Sequence, residues 1–344
     1  KNAHEKMYPA SLTKIMTYLV TVENVTDINK TNVTIKKELL DSLLGTDSSM
    51  SEIKGGDTLS IKQLLQCLLI PSGNDAAIVL ADFIGNGNIH AFVEMMNQKA
   101  TSLGCKNTHF TNPHGLDDPN HFTTAYDLSL ITKEALKHPE FLEISSTVTT
   151  CYREGDDNTF LVTTNHLINP NNPDYYYTYA KGIKTGHCDK SGYCLISMAS
   201  YDSMTYLCIA LGAPDKDISG NEINVHGEMI DSKKLYRWAF LNFMVKPLST
   251  TSKPLTSVKL NYAWKQDQLI LTVSPVSLVL MPNNISTEEL DVIPEQIESV
   301  DAPLKKGQKI STAKVYYQGQ YIGDVDLISN SDVKESKILH TLSI

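Results

Sequence analysis

The chain has 344 residues, of which 41% are hydrophobic and 20% charged, and carries a formal net charge of -9. That length can bury a sizeable core and fits two domains better than one. The acidic balance, without a dense Lys/Arg cluster, argues against a nucleic-acid partner, and the longest apolar runs, such as 64–70, fall far short of a membrane span.

Lys1 is preceded by neither an initiator Met nor a signal-peptide pattern, which reads as a mature or trimmed chain. In chain order, a helix is expected over 11–22 behind Pro9, then a strand and a short helix over 32–40, and a loop over 45–56. Helices follow over 59–70, 75–84 and 88–103, the first two separated by the break Pro71-Ser72-Gly73-Asn74. A loop over 108–119 leads to a helix over 123–137 that closes before Pro139. Strands are then expected over 147–152 and 159–164, a polar loop over 169–174, and a packed tyrosine-rich strand over 175–179. Next come a strand over 180–185, a hairpin of buried strands over 192–200 and 205–211 turning at Asp202-Ser203, and an amphipathic helix over 224–243. The segment 246–254 has linker composition. Beyond it the period changes to short alternating strands over 258–264, 269–273, 277–280, 309–317 and 321–328, the last two joined at Gln318-Gly319. The expected organisation is a mixed α/β domain over 1–247, a linker over 248–254 and a small all-β domain over 255–344.

Three short motifs carry chemistry. Ser11 and Lys14, three apart at a helix start, share one face, so the lysine can take the serine's proton if its own charged form is destabilised. Backbone N–H groups at the same helix start can face an oxyanion. The spacing alone is common and recurs at Ser51 with Lys54, Ser311 with Lys314 and Ser331 with Lys334. Ser72-Gly73-Asn74 interrupts an apolar helical cluster, where exposed backbone groups need a reason. It too has a duplicate in a polar stretch, Ser219-Gly220-Asn221. Lys184-Thr185-Gly186 occurs once, at the end of a strand, where a lysine and a threonine can bind an anionic group. Six cysteines form no Cys-x-x-Cys pair. Cys67 and Cys208 read as buried thiols, disulfide pairing stays open, and His187-Cys188 with Cys194 lacks a fourth ligand for zinc, so no metal or other cofactor is expected.

Taken in this order and spacing, the three motifs resemble those of penicillin-binding proteins and β-lactamases. The wider stretches Tyr8-Pro9-Ala10-Ser11-Leu12-Thr13-Lys14, Pro71-Ser72-Gly73-Asn74-Asp75-Ala76-Ala77 and Gly182-Ile183-Lys184-Thr185-Gly186-His187 narrow the resemblance. They look like low-molecular-mass penicillin-binding proteins, the serine D-alanyl-D-alanine carboxypeptidases that carry a C-terminal β domain. Asn112-Pro113-His114-Gly115 and Pro303-Leu304-Lys305-Lys306-Gly307 fit as well, so the likeness covers essentially the whole chain.

The resemblance implies a penicillin-recognising, β-lactamase-like domain, with an antiparallel sheet flanked by helices and a helical subdomain, followed by a β-sandwich-like domain. It implies an exported cell-envelope enzyme that removes the terminal D-alanine from peptidoglycan pentapeptide stems and is inhibited by β-lactams. Ser11 would be the nucleophile and Lys14 the general base, with Ser72 relaying a proton. Asn74 would orient Lys14 and substrate, and Lys184 and Thr185 would receive the terminal carboxylate. Gly186 and His187 complete the strand whose backbone, with that of Ser11, forms the oxyanion hole. Family members often begin with one or two more strands, end in an amphipathic membrane-anchoring helix that 335–344 is too short to form, and carry arginine where His226 and Glu228 stand here. Membrane association would therefore use a segment outside this chain. A D,D-endopeptidase acting on cross-links is the nearest alternative. A β-lactamase fits less well, since Gly73 replaces the usual Asp and 108–121 offers Asp117 and Asp118 but no Glu. A non-catalytic wall-binding or β-lactam-sensing protein would not need the intact motifs.

Overall fold

The structure is a computed structural model that describes residues 1–46, 48–156, 159–248 and 254–336. Most of the expected linker over 248–254 and of the segment 335–344 lies outside the described residues. The chain divides into two compact units, Lys1–Tyr201 with Thr205–Tyr236, and Arg237–Ile344 with Asp202–Met204.

The first unit is built around α1 (Lys14–Glu23), whose residues from Lys14 to Thr21 are all buried. A helix covered on every side has no solvent face and belongs at the centre of a core. Ser11 does not open this helix, as the sequence leads one to expect, but lies in a tighter 3-10 turn, Ala10–Thr13. There the Thr13 hydroxyl donates to the Ala10 carbonyl at 2.8 Å, which holds the turn closed.

Around α1 the chain adds β1 (Asn32–Thr34), α2 (Lys37–Asp41), β2 (Thr58–Ser60), α3 (Ile61–Leu69), α4 (Asn74–Ile84), α5 (Ile89–Ser102) and α6 (Ala125–Ala135). Ser60 and Gln63 cap α3 reciprocally, and Asn88 caps α5. The next helix, α7 (Pro139–Ser145), is unexpected from sequence. Pro139 ends the preceding pattern but also suits the first position of a helix, where no N–H is needed. Its Phe141 packs on Tyr18 of α1, ring centroids 4.8 Å apart.

Strands β3 (Thr149–Cys151) and β4 (Phe160–Val162) pair antiparallel. Residues 175–179 are not a strand but a run of turns, pinned by Tyr177 N–H donating to the Leu167 carbonyl at 2.9 Å. Then β5 (Ala180–Cys188), β6 (Gly192–Tyr201) and β7 (Met204–Ala213) form a three-stranded sheet in that order. The β6–β7 hairpin turns at Asp202 and Ser203, both with positive φ, +46° and +63°, as a two-residue turn matched to strand twist requires. The 3-10 turn packs against β5 and β6. Helix α8 runs Gly227–Asn242 and stops one residue short of the expected end, because Phe243 opens β8 (Phe243–Pro247).

The second unit holds β9 (Thr256–Asn261), β10 (Gln268–Val273), β11 (Leu278–Pro282), β12 (Asp291–Pro294), β13 (Ser299–Asp301), β14 (Lys309–Tyr317) and β15 (Gln320–Ser329). Six strands form one sheet in the order β12-β14-β15-β10-β9-β13, and β8 pairs with β11. Leu271, Val315 and Leu327 lie in its core. The edge strands β12 and β13 were not expected: they are short and lack a strong period of two. The fold is thus mixed α/β with a helical region, followed by a C-terminal all-β part. Among the described residues no single helix is long and apolar enough to cross a membrane.

One close approach fixes the 3-10 turn against its neighbour. Gly115 has φ +94°, and a Cβ there would lie 1.9 Å from the Ala10 carbonyl oxygen. Gly115→Ala therefore meets both backbone strain and a backbone clash, and is expected to cost about 3 kcal/mol or more in thermal or urea denaturation. A variant as stable as the wild type would show that the loop and turn are not in contact.

Candidate active site

Three segments distant in sequence meet at Lys14. Its Nζ lies 2.8 Å from Ser11 Oγ, 2.6 Å from Asn74 Oδ1 and 3.0 Å from the His114 carbonyl oxygen. Lys14 is fully buried. Burial, and secondarily the nearby Lys184 charge, hold its pKa well below that of an ordinary lysine, against the opposing pull of Asp75. A neutral amine so placed can accept the Ser11 proton.

The Ser72-Gly73-Asn74 break is where α3 ends and α4 begins. Ser72 has φ +70°, and its buried hydroxyl has no hydrogen-bond partner. It lines the cleft unbonded to either lysine. Gly73 has no room for a side chain, since a Cβ would come within 2.5 Å of Asp75 Oδ1 and 2.7 Å of Ser51 Oγ. Asn74 is held by its N–H donating to the Ser49 carbonyl at 2.7 Å and its Nδ2 donating to Ser48 Oγ at 2.8 Å. The buried Asp75 carboxylate accepts from Ser51 N–H at 2.9 Å and from Ser51 Oγ at 2.8 Å, tying the loop over α4.

Strand β5 brings the third motif. Lys184 is fully buried, its Nζ donates to the Thr185 carbonyl at 2.9 Å, and burial brings its pKa down to about 7. Thr185 Oγ1 shares a hydrogen bond with Thr164 Oγ1. At Gly186 a Cβ would lie 3.1 Å from the Pro9 carbonyl oxygen, so glycine lets the strand lie close against the turn that carries Ser11. His187 Nε2 lies 2.9 Å from Asp215 Oδ2, and its ring stacks on Tyr193.

Ser11, Ser72, Thr185, Gly186 and His187 line one open cleft of about 530 Å³. Lys14, Asn74 and Lys184 stand behind that wall, so every motif residue singled out from sequence converges here. The duplicates do not. Ser219-Gly220-Asn221 is an exposed turn closed on Asp217, and Ser51 serves Asp75 while Lys54 is exposed. His114 acts through its carbonyl, and burial pushes its imidazole down to about 3, so the ring stays neutral.

Other cleft residues carried no signal of function in the sequence: Ser48, Ser49, Thr164, His166 and Tyr193 come from loops and a strand with no recognisable motif. His226 and Glu228 also line the cleft. All six cysteines are free thiols; Cys188 donates to Asp117 Oδ1 at 2.7 Å.

The D-alanyl-D-alanine carboxypeptidase family matches residues 1–215, and the C-terminal domain of penicillin-binding protein 5 matches residues 243–335. The chain is 30% identical to D-alanyl-D-alanine carboxypeptidase DacF of Bacillus subtilis, covering 98% of this chain and 82% of that protein. It is 31% identical to DacA of Haemophilus influenzae, covering 99% and 83%. Among solved structures, penicillin-binding protein 5 from Haemophilus influenzae superposes with a TM-score of 0.72 at 28% identity, over 97% of this chain and 93% of that one.

The buried Lys184 also makes a stability prediction. Its folded pKa, about 7, lies below that of an unfolded lysine, so between these values the unfolded chain binds the extra proton and stability rises with pH. From pH 7 to 8 this rise amounts to roughly 1 kcal/mol for Lys184 alone. Chemical denaturation across that range should be flatter by this amount in Lys184→Met. Equal slopes in the two proteins would mean that Lys184 is charged in the fold.

Proposed function

The chain belongs to the peptidase S11 family of serine D-alanyl-D-alanine carboxypeptidases, and from that membership we propose how its cleft removes the terminal D-alanine of a peptidoglycan pentapeptide stem. Ser11 Oγ attacks the carbonyl of the penultimate D-alanine as its proton passes to neutral Lys14. Backbone N–H groups of Ser11 and His187 stabilise the oxyanion. Ser72 passes the proton on to the leaving amine, Asn74 orients Lys14 and the substrate amide, and Thr185, with Lys184 behind it, faces the terminal carboxylate. Water then hydrolyses the acyl-enzyme. A β-lactam presents the same carbonyl and acylates Ser11 in the same way.

The observation that carries this reading is the buried Lys14 Nζ at 2.8 Å from Ser11 Oγ. The Ser72 hydroxyl lies in the same cleft and is committed to no other protein group, which leaves it available for this role. We further propose that residues 1–247 form the catalytic domain and 255–344 a spacer or docking domain. In this reading the protein works in the cell envelope, outside the cytoplasm.

Intact-mass spectrometry after penicillin treatment, with D-alanine release from a diacyl-D-Ala-D-Ala peptide, tests the assignment. Wild type should gain one adduct on Ser11 and release D-alanine; Ser11→Ala should lose the adduct and at least on the order of 10⁴-fold in turnover. An adduct that vanishes within seconds while hydrolysed penicillin accumulates would instead mark a β-lactamase. Retained release in Ser11→Ala would remove the nucleophile assignment.

The acylation rate should rise with pH as Lys14 loses its proton. Lys184→Gln removes a charge that lowers the Lys14 pKa, so the rising limb should move to higher pH. A stationary limb would mean that another group sets it.

A further inference from the structure

Ser11 stands where two cavities meet. The larger, of about 530 Å³, carries Thr185; a second, of about 140 Å³, opens from Ser11 past Asn74 and His114 toward Asp117 and Cys188. Strand β5 borders both, with Thr185 in the larger, His187 in each and Cys188 in the smaller. From Thr185 to Cys188 a strand advances about 10 Å, the span of three residues of an extended peptide. A substrate whose last residue faces Thr185 and whose scissile carbonyl meets Ser11 therefore sends its acyl chain into the smaller cavity. Its third residue from the end comes level with Cys188.

The chemistry of that cavity is one-sided. Among the described residues no lysine or arginine lines it. Its two histidines do not act as free cations either. His187 Nε2 is engaged by Asp215, and burial pushes the His114 imidazole down to about 3. Two carboxylates stand at the rim, and Asp189 is already paired with Lys216 at 3.2 Å. Asp117 is not: among the described residues it forms no ion pair, and its one printed partner is the Cys188 thiol, which donates to Oδ1 at 2.7 Å. Burial pushes that thiol's pKa up, so it keeps the proton that fixes the carboxylate. A second group awaits a ligand deeper in. His114 is only 9% exposed, and its Nδ1 accepts from Leu116 N–H at 3.2 Å, which puts the proton of the neutral ring on Nε2. Among the described residues that N–H has no acceptor, although His114 lines the cavity.

We propose that the smaller cavity is the acyl-side subsite of the cleft, where Asp117 binds the side-chain ammonium of the stem residue preceding the two D-alanines and His114 Nε2–H donates to a carbonyl oxygen of the acyl chain. This rests on the carboxypeptidase reading and adds to it the class of stem the protein takes: one with a diamino acid at that position whose second amine is free. Lysine and diaminopimelate both supply that ammonium. Cys188 is a positioning residue that acts through Asp117.

The experiment measures D-alanine release from Nα-acetyl-L-lysyl-D-alanyl-D-alanine, from its Nε-acetyl counterpart and from the meso-diaminopimelyl peptide. Wild type should favour the free amine over the acetylated one in kcat/KM by roughly 3- to 10-fold, the scale of a partly solvated charge-assisted bond. That preference should shrink from about 0.05 to 0.5 M salt. Asp117→Asn should bring the ratio of the two lysyl peptides close to one, and Asp117→Lys should invert it in favour of an Nε-succinyl peptide. His114→Phe should raise KM for both lysyl peptides and leave their ratio at the wild-type value. The diaminopimelyl peptide should also run ahead of the acetylated one, and its rate against free lysine separates the two natural carriers. Wild type indifferent to acetylation overturns the proposal, and that comparison needs no variant to fold. A wild-type ratio in Asp117→Asn overturns it as well. Wild type that releases D-alanine from none of the peptides refutes the carboxypeptidase reading itself, and this inference with it.

Discussion

An amine enclosed within the protein, Lys14, is the constraint to which the first unit answers. A charged lysine inside a core is expensive, and the protein reduces that cost by favouring its neutral form rather than by pairing it with an adjacent carboxylate. Asp75 is the acidic group whose charge opposes this, and its carboxylate is occupied by Ser51 N–H and Oγ. The groups actually touching Nζ are a hydroxyl, an amide oxygen and a carbonyl, all neutral. The amide and carbonyl oxygens accept the two N–H bonds of a neutral amine, whose lone pair is left to face the Ser11 hydroxyl, so none of them restores the charge. The base strength needed by Ser11 is thus set by where α1 lies, and α1 lies there because it is apolar on nearly every side.

The placement of Ser11 depends on a chain of short-range contacts outside the three motifs. His121 Nδ1 accepts from Thr111 N–H at 3.0 Å, leaving Nε2 to donate to Thr13 Oγ1 at 2.8 Å, and Thr13 in turn donates to the Ala10 carbonyl. Burial keeps His121 neutral, with its pKa down at about 4, so this relay persists at physiological pH. Ala10 itself has φ +46° and Ser72 φ +70°, two non-glycine residues in left-handed backbone on either side of the cleft. Such conformations persist only where the surroundings over-determine them. The Thr17 hydroxyl on the Pro113 carbonyl and the Gly115 approach to Ala10 are part of that surrounding.

The sequence made the motif residues and the helical core legible because both depend on local rules. Ser11 and Lys14 share a face by helical spacing, Ser72-Gly73-Asn74 stands out as a polar break between apolar runs, and the change to a period of two marks the C-terminal strands. What stayed hidden depends on distant partners. The 3-10 turn at Ala10–Thr13 arises from a side-chain bond and from packing on β5, neither of which leaves a trace in residue order. Helix α7 was concealed because Pro139 stops one helix and starts another, and the tyrosines at 175–179 carry strand propensity that tertiary contacts override. Ser48, Ser49 and Thr164 reach the cleft on loops whose composition is that of any polar loop.

His226 and Glu228 illustrate the same limit from the other side. Two residues apart on either side of Gly227, where α8 begins, they stand out in sequence only as a departure from the arginine that related proteins often carry there. Their meaning comes from burial: a carboxylate 2% exposed, one of its oxygens unpartnered, beside a ring wedged among Tyr175, Tyr193 and His166. At Lys14 burial works the other way: with only neutral groups touching the amine it removes a proton, and the result is a base.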